Sequence, residues 1–190
     1  AGGFLIATDF RWIVMSRIAM LDIFMASMTL VALWAFAGAV RENETGRRRL
    51  AIAGVALGLA IAAKWNAVPL AVLPGITFAA VRLRESGWRA FTTSRAAPVA
   101  GITIWEAALW LGVMPLAVYA LTFVPAMFYA QDPLAPSGLI ALHREMIHLQ
   151  DSVVKPHPYQ SVWYQWLADW RAIWFLYENV DGAQRGILLV

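Results

Sequence analysis

Cysteine is absent from this chain of 190 residues, and charge is scarce, with Asp, Glu, Lys and Arg making up 14% of the sequence. The first absence excludes disulfides, thiolate catalysis and Cys-ligated zinc, and leaves the redox compartment undetermined. The second excludes an ordinary soluble domain, which keeps about a quarter of its residues charged to solvate its surface. In place of charge the chain has apolar surface: 61% of its residues are hydrophobic and its mean hydropathy is +0.61. Lipid is therefore expected to be its main solvent. A formal charge of +3 and a pI near 9.6 would suggest nucleic acid in a soluble protein. Here the cations sit in short segments between apolar runs, where they set topology, and no nucleic-acid partner is expected.

The apolar runs define spans. Residues 21–40 carry one charge, Asp22, and at 1.5 Å per residue they cover about 30 Å, the thickness of a hydrocarbon core. Arg41 to Arg49 is a polar, Arg-rich loop. Residues 50–81 read either as one long helix or as two spans, about 50–63 and 66–81, turning near Lys64-Trp65-Asn66. Arg82 to Arg89, extended to Arg95, is a second Arg-rich loop, and the positive-inside rule puts both loops on the cytoplasmic face only if the chain passes twice between them. A further span over about 97–124 then leads outward. Residues 1–124 thus form a transmembrane region opening with the tail of one span, and 125–185 an extracytoplasmic loop. Gly186 to Val190 reads as the start of another span, and the apolar opening at Ala1 suggests an internal piece of a longer protein. The expected fold class is an all-α, polytopic integral membrane protein.

Within the outer loop, Leu139, Leu142, Met146, Leu149 and Val153 recur at helical spacing among polar residues, the pattern of an amphipathic helix on a membrane surface. Trp163, Trp166, Trp170, Trp174 and Tyr177 recur at steps of three and four and predict a helix with an aromatic stripe. Such a stripe suits an interfacial belt or a surface on which a sugar stacks.

Arg17, Asp22 and Lys64 lie within or at the ends of apolar runs, where an ionised side chain is costly unless it faces a cavity or a partner. Arg17 and Asp22 are separated by about 140° around a continuous helix and are poor partners for each other. Glu106 is a fourth such group, with no neutralising neighbour in sequence, and either a structural pair or a functional role fits it. His143, Glu145 and His148 depart from zinc-protease spacing, which needs histidines four apart, so no metal site is expected there. The chain has no Gly-rich phosphate loop.

Three runs, in this order, resemble the protein O-mannosyltransferase family: Ser16-Arg17-Ile-Ala-Met-Leu21-Asp22, then Gly58-Leu-Ala-Ile-Ala-Ala-Lys64-Trp65, then His157-Pro-Tyr159-Gln-Ser161-Val-Trp163-Tyr-Gln-Trp166, followed by Arg171 and Trp174. The resemblance implies a C-type glycosyltransferase-like helical bundle that moves mannose from a polyprenyl-phosphate carrier to Ser or Thr hydroxyls of exported proteins, on the extracytoplasmic face. A carboxylate base would activate the acceptor hydroxyl while cations stabilise the departing lipid phosphate. On that scheme Arg17, Lys64 and Arg171 bind the donor phosphate or organise the site, with Asp22 as a polar anchor. His157, Tyr159, Ser161, Trp163 and Trp166 line a groove. The resemblance names polyprenyl-phosphate mannose as donor, exported proteins and membrane lipids as partners, and no obligatory cofactor, with a divalent cation and membrane-protein partners left open.

The family's acidic pair belongs upstream of Ala1, which implies that this piece alone is inactive, and Leu167 and Ala172 stand where the family usually has prolines. The 125–185 loop has no room for the β-trefoil domain of eukaryotic members, so a bacterial plasma membrane is the expected location. A related transferase with a lipid or glycan acceptor, and a catalytically silent membrane subunit, remain as alternatives.

Overall fold

The computed structural model describes residues 21–152, 162, 164–165 and 173–189. The chain divides into two compact units, residues 1–133 and 134–190. The first unit is helical. Helix α1 is Leu21–Arg41 and α2 is Gly46–Ala63, joined by a single 3-10 turn at Asn43–Thr45. A composite helix, α3, covers Trp65–Phe91, and a second, α4, covers Ile104–Phe128. Helices α1, α3 and α4 are each long and apolar enough to cross a membrane. Helix α2 spans about 27 Å by its own length, with Arg47, Arg48 and Arg49 in its first turn. These helices make the chain a polytopic membrane protein, all-α in its first unit.

In lipid, apolar side chains gain little by leaving the solvent, so helices associate through close van der Waals contact and small residues at the seam. Helix α1 buries Thr29, Ala32, Ala35, Gly38 and Ala39, a stripe of small side chains recurring mostly every third residue. The Thr29 hydroxyl donates to the Met25 carbonyl at 2.8 Å, so its burial leaves no unpaired group. Helix α2 is buried on two sides, with Leu50, Ala53, Leu57 and Ala60 at 0–1% exposure. One side meets α1 and the other meets α4.

The α2–α4 seam is made by Gly54 and Gly58. A Cβ on Gly54 would overlap the Trp110 carbonyl oxygen, and one on Gly58 would sit 2.6 Å from the Pro115 carbonyl oxygen. Backbone therefore touches backbone. At this crossing α4 widens into a π turn at Leu109–Val113, where the Met114 amide donates to the Leu109 carbonyl. Pro115 explains the turn: it has no N–H for the Leu111 carbonyl, and its ring would clash there in a regular helix.

Side-chain partners fix the helix directions. Asp22 meets Lys64 and Arg49 lies against Gly38, so α1 and α2 are antiparallel. Arg47 meets Glu106 and Trp65 meets Tyr119, so α2 and α4 are parallel. Gly75 faces Leu111 while Arg82 bonds to Val99 and Ile102, so α3 runs antiparallel to α4. The chain reverses direction between α2 and α3, at Lys64, whose backbone is extended (φ −162°, ψ 131°).

At the Arg-rich end, the segment between α3 and α4 wraps around one side chain. Arg82 is completely buried and donates to the carbonyls of Ala97 (2.6 Å), Thr93 (2.9 Å), Val99 (3.0 Å) and Ile102 (2.9 Å), with its guanidinium over the Phe78 ring. Only arginine offers donors in such a planar fork. Glu85 accepts the Ala97 amide, and Asn43 accepts the Ala100 amide at 3.0 Å, tying the two Arg-rich segments together. In the α1–α2 turn Glu42 accepts from Arg41 (3.0 Å) and Arg49 (2.7 Å); the Arg41 hydrogen bond, then the Arg49 charge, hold its carboxyl below the usual glutamate range.

The second unit contains helix α5, Leu139–Asp151, and a two-stranded antiparallel sheet, β1 (Ile173–Val180) and β2 (Ala183–Leu189). The sheet corrects two expectations. Trp174 and Tyr177, read as the end of a helical aromatic stripe, lie in β1, and Gly186 to Leu189, read as the opening of a span, lie in β2. The local reason is the turn: Asp181 and Gly182 both have positive φ (53° and 76°), the two-residue Asp-Gly loop whose twist matches paired strands. Ile173-Trp-Phe-Leu-Tyr177 supplies the β-branched and aromatic residues that favour a strand. The register shifts between Trp174 and Leu176, marking a bulge.

Two substitutions test this architecture. Gly54→Ala should force α2 from α4 and lower stability by about 1–3 kcal/mol, read as the thermal midpoint in detergent; a wild-type midpoint would refute the backbone contact. Arg82→Met strands four carbonyls and should cost about 3 kcal/mol or more on the same measurement.

Candidate functional site

The end of the helical unit opposite the Arg-rich turns gathers Asp22, Lys64, Trp65 and Tyr119 from three helices. Asp22 is the second described residue of α1. Lys64 follows the last residue of α2, where the helix C-terminus favours a cation, and its own N–H closes that helix on the Ala60 carbonyl at 3.1 Å. Because α1 and α2 are antiparallel, the two residues meet, and Lys64 Nζ donates to Asp22 Oδ1 at 2.7 Å.

Neither charge is buried: the Lys64 side chain is 38% exposed and that of Asp22 31%. The ammonium has three donors and gives one to Asp22. Asp22 therefore fixes the direction of Lys64 while its remaining N–H groups can meet another acceptor. Beside it, Trp65 Nε1 donates to the Tyr119 hydroxyl at 2.9 Å, and Tyr119 packs edge-on to Phe123 with ring centroids 5.2 Å apart. This aromatic contact holds the α2–α3 corner against α4, so the backbone that positions Lys64 is anchored on both sides.

Of the residues singled out from the sequence, the structure brings Asp22 and Lys64 together. Arg17, His157, Tyr159, Ser161, Trp163, Trp166 and Arg171 lie outside the described residues. Glu106 belongs to the other end of the unit: it takes a bidentate contact from Arg47, whose Nη2 donates to Oε2 at 3.0 Å, and accepts from Trp110 Nε1 at 3.3 Å. Its partner lies 59 residues away in sequence. Tyr119 was missed for a similar reason, since it meets Trp65 across 54 positions. Among the described residues no three His, Asp or Glu side chains converge as a ligand set for a metal ion. In α5 the His143 Nδ1 lies 2.7 Å from the Leu139 carbonyl of the preceding turn.

The pairing can be measured by a double-mutant cycle. Asp22→Asn and Lys64→Met should each lower the thermal midpoint, and the double variant should lose less than the sum, with a coupling of about 1 kcal/mol. Strictly additive losses would mean that the two groups do not interact.

A family model described as dolichyl-phosphate-mannose-protein mannosyltransferase matches residues 2–129. No curated protein and no solved structure matches the chain. The matched region takes in the whole of α1 to α4, with both partners of the Asp22–Lys64 pair. The chain belongs to the dolichyl-phosphate-mannose-protein mannosyltransferase family, membrane glycosyltransferases of the protein O-mannosylation kind.

Proposed function

We propose that the Asp22–Lys64 end of the helical unit is the donor-phosphate side of a transferase centre. It would move mannose from a polyprenyl-phosphate carrier to Ser or Thr hydroxyls of exported proteins, at the extracytoplasmic face of a bacterial plasma membrane. The observation that carries this reading is the pair itself. A half-exposed ammonium is held in direction by a carboxylate, at a membrane end, in a chain of this family. Both Arg-rich turns lie at the opposite end, and the positive-inside rule assigns that end to the cytoplasm.

In the transfer an acceptor hydroxyl loses its proton to a carboxylate base and attacks the anomeric carbon. The bond from that carbon to the carrier phosphate breaks, and the phosphate leaves with an added negative charge. A cation already oriented before the reaction stabilises that charge without reorganising. Lys64 supplies such a cation. Asp22 keeps it aimed, and Arg17 and Arg171 are proposed to share the phosphate. His157, Tyr159, Ser161, Trp163 and Trp166 are proposed to line the groove for donor or acceptor, where aromatic faces suit a sugar ring.

Membranes from cells expressing the intact gene should transfer labelled mannose from polyprenyl-phosphate mannose to a Ser/Thr-rich peptide. Lys64→Ala and Arg17→Ala should each reduce transfer by about a hundredfold or more while the protein still inserts. Wild-type turnover in Lys64→Ala would overturn its role, and transfer to lipid or glycan acceptors alone would overturn the acceptor class.

A further inference from the structure

The Arg-rich end carries a second feature, on the outer face of the α1–α2 hairpin. A groove of about 400 Å³ runs between the two helices, lined by Met28 and Val31 of α1 and by Arg48, Ile52, Val55 and Leu59 of α2, among others. Every lining residue except Arg48 is apolar. Val31, Ile52, Val55 and Leu59 are exposed, so the groove opens outward from the bundle.

Arg48 differs from its neighbours. Arg47 is committed to Glu106, Arg49 to Glu42 and Thr45, and Arg41 to Glu42. Arg48 is exposed and has no polar partner among the described residues. A guanidinium at the mouth of an apolar groove, next to a membrane boundary, suits an anion that brings its own hydrocarbon.

The length of the groove decides between a lipid and another helix. From Arg48 to Leu59 is eleven residues of α2, about 16 Å of rise. That is about half of a 30 Å hydrocarbon core, the depth of one leaflet. A packed transmembrane helix would use a seam through the full core, whereas an acyl chain ends near the midplane. We infer that this groove binds one acyl chain of an anionic phospholipid whose headgroup phosphate pairs with Arg48, in the leaflet at the Arg-rich end. The headgroup end of the site, at Arg48, lies at the opposite end of α2 from Lys64, so the two phosphates would be held apart.

Native mass spectrometry of the protein in a mild non-ionic detergent tests this, with phosphatidylglycerol and phosphatidylcholine of identical chains as probes. Wild type should retain phosphatidylglycerol about fivefold better, the effect of one basic residue at a membrane surface. Arg48→Gln should remove the preference, while Arg84→Gln, an exposed arginine on α3 at the same end, should keep it. Val55→Trp, which fills the groove, should reduce retention of both lipids. Equal retention by wild type, or an equal effect of Arg84→Gln, would overturn the Arg48 site in favour of diffuse attraction. Displacement of phosphatidylglycerol by glycerol 3-phosphate, or unchanged retention in Val55→Trp, would overturn the acyl groove.

Discussion

The contact on which the first unit depends is the direct approach of α2 to the α4 backbone at Gly54 and Gly58. Any side chain larger than hydrogen at either position would hold the two helices apart. Because they touch, Arg47 reaches Glu106 near the start of both helices and Trp65 reaches Tyr119 at the other end. The small residues of α1 let it close on the other side of α2, and Asp22 then falls beside Lys64. One close seam therefore sets the positions of charges and aromatic groups that are far apart in sequence.

The ionised groups divide between the two ends of this packing. Around the Arg-rich turns several cations are structural: Arg82 collects the carbonyls of a non-helical segment, Arg47 neutralises Glu106, and Arg49 closes the α1–α2 turn with Glu42. In a membrane, irregular backbone is tolerated where protein groups satisfy it, and Arg82 performs that task for residues 93–102. At the far end Lys64 and Asp22 stay partly exposed, with donor capacity left over. Groups whose donors are taken by protein partners hold the fold, as Arg82 does in full burial, while an oriented group with donors left over is suited to a ligand.

Much of the helical unit was legible in the sequence. The span at 21–40, the polar turn after Arg41 and the helix break near Lys64 follow from hydropathy and charge, since a bilayer admits few alternatives to helices of fixed length. Asp22 and Lys64 could be chosen because charge at the end of an apolar run is costly. The β-hairpin was harder to see. Steps of three and four among Trp163, Trp166, Trp170, Trp174 and Tyr177 fit a helix, but aromatic residues also favour strands, and a periodicity of five residues carries little information. The stronger signal was Asp181-Gly182, two residues that close a hairpin irrespective of the aromatic spacing.

By itself the sequence determined that the chain lives in lipid, where the 21–40 span and the break at Lys64 fall, and which family its motifs resemble, because these depend on local composition and residue order. Only the tertiary structure decided which charges are partners. Glu106 looked unneutralised until α2 and α4 packed in parallel, and Arg82 looked like one topological cation among several until the 93–102 segment folded around it. Asp22 and Lys64 were two separate anomalies, 42 positions apart, until the antiparallel packing of α1 on α2 made them a pair. Pairing across such separations depends on how closely helices approach and in what direction, and neither can be read from the residues one segment at a time.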